Sequence, residues 1–177
     1  MVTPVDYSSS DASVRRKRRA LYGTFTAVVS LIVALAVLEA LTGVPVYGVT
    51  TDEVSQRGAT VDLTVHYPRV TRGQLDSPLQ VQLTSPSGFA GPVVLAISSA
   101  YFDLFNVTAI RPQPTSELLD DETWTLTFDP PSGDTLAVQW DMTARAVGWF
   151  AQQTGELRAD TGAEQTPTLR FVSALRP

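Results

Sequence analysis

The one imidazole in the chain is His66, and there is no cysteine at all. A single histidine excludes multi-histidine metal sites within one chain. The missing thiols exclude thiolate catalysis, disulfide scaffolds and Cys-based zinc or iron–sulfur centres. His66 could serve as a general base, but it falls on the polar parity of an alternating run, directly before Tyr67 and Pro68. That is the position of a surface histidine. A Ser-His-Asp site would need a strained Gly-x-Ser-x-Gly elbow, which the sequence lacks. It also lacks a phosphate-binding glycine loop and an HExxH pair. Glycosidase-like paired carboxylates stay open to any two of the sixteen acids beyond residue 19. The densest acidic group is Asp120, Asp121 and Glu122, to which Asp103 or Asp134 could add oxygens for a calcium ion. The EF-hand spacing is absent, and solvated loop charge accounts for the group. The expectation is a non-enzyme, with no catalytic residue, no cofactor and no bound metal.

Binding chemistry has better candidates. Tyr101, Phe102, Leu104 and Phe105 crowd around Asp103, so both parities of this run are apolar. Such a run either crosses between two sheets and buries both sides, or presents an aromatic patch to a partner. Trp149 and Phe150 pose the same question. Together Tyr101, Phe102, Leu104, Trp149 and Phe150 form the candidate partner surface. Asn106, Val107 and Thr108 match a glycosylation sequon, but they lie inside a candidate strand.

Charge separates the ends of the chain. Residues 1–19 hold Arg15, Arg16, Lys17, Arg18 and Arg19 against Asp6 and Asp11, a balance of +3. The remainder has eight arginines against sixteen acids, −8, and the two parts add to the net −5. A body of that sign repels phosphate backbones, so nucleic acid is not an expected partner. Directly behind the basic cluster, residues 20–38 carry no charge and no proline. At about 1.5 Å per residue this run spans about 28 Å, the hydrocarbon thickness of a bilayer. Apolar residues on every face for five turns are the pattern of a membrane helix, expected over 20–43. Basic residues are retained in the cytoplasm, which places the N-terminus inside and the body outside. A cleaved signal fits less well, because the small-residue motif at Ala34 and Ala36 falls within the run and the run exceeds a signal's apolar core. Glu39 is read as an interfacial carboxylate or a contact with a cation of a second membrane protein. Gly23, Ala27, Ser30 and Ala34 would allow close helix approach.

Residues 1–19 then form a basic cytoplasmic tail, 44–57 a linker, and 58–177 the body. From residue 58 the hydrophobic period becomes two. Val61, Leu63 and Val65 alternate with polar residues, as do Leu79, Val81 and Leu83, then Trp124, Leu126 and Phe128, then Leu136, Val138, Trp140 and Met142. Shorter runs follow at 93–97, 105–109, 156–159 and 168–174. Seven or eight short strands broken by Pro, Gly, Asp and Ser predict a mainly β body, an Ig-like antiparallel β-sandwich.

The order of the runs at 79–83, 93–97, 105–110, 124–128 and 136–142, with the turn Asp129-Pro130-Pro131-Ser132-Gly133-Asp134 before the long strand, resembles the Ig-like repeat modules of bacterial single-pass surface proteins. The resemblance covers roughly 58–145 and implies an extracytoplasmic binding or spacer module without catalytic residues. The expected function is a membrane-anchored interaction module, an accessory subunit or surface adaptor whose partner is another membrane or envelope protein. The alternatives are an envelope adhesion protein binding polysaccharide or protein, and a carboxylate-based hydrolase.

Overall fold

The computed structural model describes residues 28–34, 48–58, 60–146, 148–162 and 167–176. It divides into two compact units, Met1–Val46 and Tyr47–Pro177. In the first, residues 28–34 are helical, and Val28, Val29, Leu31, Ile32 and Val33 are exposed. The rest of the expected membrane span over 20–43, including Glu39, lies outside the described residues. Among the described residues, no helix is long and apolar enough to cross a membrane.

The second unit is mainly β. Its described residues form ten strands, β1 (Thr50–Arg57), β2 (Asp62–Arg72), β3 (Leu79–Thr84), β4 (Val93–Ser98), β5 (Phe105–Arg111), β6 (Ser116–Leu119), β7 (Thr123–Phe128), β8 (Thr135–Ala144), β9 (Ala151–Asp160) and β10 (Thr168–Arg176). They form one curled sheet in the order β5-β8-β3-β2-β10-β9-β4-β7-β6, with β1 beside β2. The period-two runs explain the curl. Each long strand puts its apolar parity on one face, as in β3, where Leu79, Val81 and Leu83 are buried while Gln80 and Gln82 are exposed. Bending that face inward joins Leu63, Val81, Leu95, Leu126, Trp140, Leu157 and Phe171 in a single core.

β2 is the hinge of the curl. Residues 62–66 pair antiparallel with β3, and residues 70–72 pair with β10 in parallel. The expectation of a wholly antiparallel body is corrected at this one pair. An eleven-residue strand is long enough to serve both arms of the sheet, and it reaches β10 running in the same direction. β1 occupies part of the expected linker. Its residues are exposed except for the half-buried Thr50 and Val54, so no apolar alternation marks it in the sequence. β6 is exposed along its whole length and is unmarked for the same reason.

Between β4 and β5 the chain crosses from one arm to the other through a 3₁₀ turn, Ser99–Leu104. Tyr101 points into the core. Its ring meets Phe171 at 5.0 Å and Phe105 at 5.3 Å between centroids, and its hydroxyl lies 2.9 Å from Ser173 Oγ. The crossing thus buries a tyrosine whose one polar atom has a partner.

Candidate functional site

The crossing turn and the β6–β7 hairpin together build a groove of about 460 Å³. Its wall is aromatic. Phe102, half-buried on the turn, packs edge-on against Trp124 of β7, with centroids 4.9 Å apart and planes at 80°. Leu119, paired in register with Trp124, extends the apolar surface onto β6. Asp103 from the turn and Asp120 and Asp121 from the hairpin also line the groove, against one cation, Arg145.

Local chemistry holds these groups in place. Asp120 Oδ1 accepts from the backbone N–H of Glu122 at 2.9 Å and of Thr123 at 2.6 Å, which closes the hairpin turn. Ser99 Oγ donates to the Asp121 carbonyl at 2.9 Å, and its N–H donates to the Glu122 carbonyl, tying hairpin to crossing turn. Arg145 Nε donates to Asn106 Oδ1 at 3.0 Å, and Arg145 N–H donates to the Leu104 carbonyl. One end of the groove is therefore anchored to the body through β5 and β8, while its hairpin side is, among the described residues, an edge of the sheet.

The five expected surface residues separate. Tyr101 and Leu104 are buried and belong to the core, so they are withdrawn from the expected partner surface; a turn that crosses between arms must bury the side facing inward. Phe102 lines the groove. Trp149 and Phe150, 77% and 54% exposed, sit in the β8–β9 connection and do not line it. Leu118 and Leu119, at 64% and 65% exposed, were not anticipated. The signal available was two adjacent leucines immediately before Asp120, with no alternation to bury them.

Asp103 shares the groove with Asp120 and Asp121, whereas Asp134 lies at the β7–β8 turn, where its carbonyl accepts from Ser85 N–H. No group of three or more His, Asp or Glu residues is arranged to hold a metal ion among the described residues.

His66 stands on the outer face of β2 with Nδ1 3.6 Å from a Glu53 carboxylate oxygen. It borders a second groove of about 410 Å³ whose lining includes Gln80, Gln82, Gln139 and Arg111, and no Ser or Thr. An imidazole there has no hydroxyl in the groove to activate. A ladder crosses this face instead: Gln80 Nε2 donates to Gln139 Oε1, Gln139 Nε2 to Asp141 Oδ1, and Arg111 reaches Asp141 Oδ2 at 2.8 Å. On the other arm, hydrogen bonds from Arg158 and then Arg170 hold the Glu156 carboxyl below its ordinary range. Both of its oxygens are engaged, which suits a structural ion pair and not a proton donor.

No protein-family model matches the chain, and no curated protein matches it. Among solved structures it is similar to BslA, a bacterial hydrophobin, at 10% identity and a TM-score of 0.42, over 72% of this chain and 100% of that one. It is similar to ACE19, the collagen-binding subdomain of the Enterococcus faecalis surface protein ACE, at 10% identity and a TM-score of 0.32, over 63% and 96% of the two chains. A third similarity is to self-complemented MyfA, the major subunit of Myf fimbriae from Yersinia enterocolitica, at 10% identity and a TM-score of 0.33, over 72% and 99%.

Proposed function

We propose that the chain is a single-pass, membrane-anchored interaction module, with residues 1–19 in the cytoplasm, 20–43 crossing the bilayer and the β body outside. It acts as a non-enzymatic accessory subunit or surface adaptor. The observation that carries this reading is the uncharged run 20–38 directly behind five consecutive basic residues. In support, the described part of that run is helical, with its aliphatic side chains exposed. The reading of the body as an Ig-like sandwich is supported by strand order. The arms β2-β3-β8-β5 and β10-β9-β4 repeat the A-B-E-D and G-F-C orders of that architecture, with the β6–β7 hairpin added at the β4 edge. Interaction is supported by apolar surface left outside the core at Leu118, Leu119, Trp149 and Phe150.

A second reading, adhesion to an envelope polysaccharide, is favoured by one feature, the amide and carboxylate ladder of Gln80, Gln139 and Asp141, whose groups match sugar hydroxyls.

Fractionation of cells expressing the full chain tests the anchor. The protein is expected in the membrane pellet, resistant to an alkaline wash and released by detergent, and a chain lacking residues 20–43 is expected in the supernatant. Full-length protein in the high-speed supernatant, or a product trimmed near residue 40, would overturn the reading.

A further inference from the structure

The sheet ends differently at its different edges. β1 carries Asp52, Glu53 and Arg57 and shifts register at Thr50/Thr51. β5 shifts register between Val107 and Ala109 and ends on Arg111, followed by Pro112. Charge, irregular register, proline and shortness keep an edge from pairing with another chain, and β6 has shortness, at four residues, and a single charge. β6 pairs with β7 in unbroken register and ends the sheet with two exposed leucines and one charge, Glu117. Next to it lies the groove in which Asp103, Asp120 and Asp121 outnumber Arg145 three to one beside the Phe102–Trp124 pair.

We propose that β6 receives an extended, Arg- or Lys-bearing segment of a partner protein as an added strand. The segment's backbone pairs with the edge of β6, and its aliphatic side chains cover Leu118 on the face away from the groove. Its cations enter the groove, where the carboxylates supply charge and the Trp124 ring supplies a π face. Charge decides the occupant. A second copy of this chain pairing edge to edge would bring its own Glu117, Asp120, Asp121 and Glu122 to the same junction, where like charges repel. A basic segment relieves that repulsion. The proposal rests on the reading of the body as an interaction module and is independent of the anchor, which fractionation tests separately.

The test is a fluorescence-anisotropy titration of the full chain in a non-ionic detergent with a labelled peptide of three Arg-Val repeats. Saturable binding is expected. A peptide of Asp-Val repeats, and an Arg-Val peptide N-methylated at alternate residues so that it cannot pair as a strand, are expected not to bind. Leu119→Lys places a cation in the groove and a guard on the edge, and should weaken binding by about tenfold or more, whereas Asp121→Asn should weaken it by less than that. Both positions are exposed, so the melting temperature is expected to stay where it is. Absence of binding, equal binding of the methylated or acidic peptide, or indifference to both substitutions overturns the proposal. Self-association that Leu119→Lys abolishes, without peptide binding, assigns the edge to a second copy and also overturns it.

Discussion

Tyr101 shows how one side chain can look like a binding residue in sequence and be a structural one in space. Burial raises its phenol pKa above the ordinary tyrosine range, while the Ser173 hydroxyl pulls weakly the other way. The folded state therefore holds the neutral phenol, and the unfolded chain releases its proton near pH 10. The contribution of Tyr101 to stability is intact below that pH and is lost as pH rises above it. Tyr67, raised by burial and by Asp52, acts in the same direction. Denaturant unfolding at pH 8 and pH 11 should show a loss of stability on going alkaline, and Tyr101→Phe should shrink that loss. At pH 8 the same substitution leaves Ser173 buried without its partner and should cost about 1–3 kcal/mol. An unchanged alkaline loss in Tyr101→Phe would place the titration elsewhere.

Among the strands, β9 and β10 meet at a close approach. Gly155 lies opposite Phe171, and a Cβ at residue 155 would fall 2.5 Å from the edge of that ring. The ring has no room to withdraw, since Tyr67 packs against it at 5.1 Å and Tyr101 at 5.0 Å. Gly155→Ala should therefore cost about 1–3 kcal/mol of overpacking. Adding Phe171→Leu should recover part of it, as read from paired denaturation curves; purely additive losses would show that the two residues do not compete for the space. The β6–β7 hairpin shows the opposite logic. Its β6 strand lies beyond the core, so its leucines stay exposed and, among the described residues, it ends the sheet.

For the chain as a whole, the separation of charge should act as an orientation signal. The +3 tail precedes the apolar run and the −8 portion contains it and follows. Replacing Arg15, Arg16, Lys17, Arg18 and Arg19 by glutamine should reduce the share of molecules whose body reaches the outside. A pH-sensitive fluorophore fused at the C-terminus reads that share directly. An unchanged orientation would show that the folded body, not the tail, sets the topology.

Much of the body was legible in order because burial on one face of a strand imprints a period of two. The cores of β2, β3, β4, β7 and β8 follow Leu63, Val81, Leu95, Leu126 and Trp140 closely. β1 and β6 left no such imprint, because strands exposed on both faces place no demand on parity. The candidate site was only half visible. Phe102 and the acids at 103, 120 and 121 stood out by type, but their convergence depends on a crossing turn and a hairpin some twenty residues apart. Composition and local spacing alone settled the absence of thiol chemistry, the alternating strands and the uncharged run behind the arginines, since each is a property of neighbours along the chain. Which aromatics are core, which edge is left open and which carboxylates share a groove were decided by tertiary packing, because those relations join residues that sequence keeps apart.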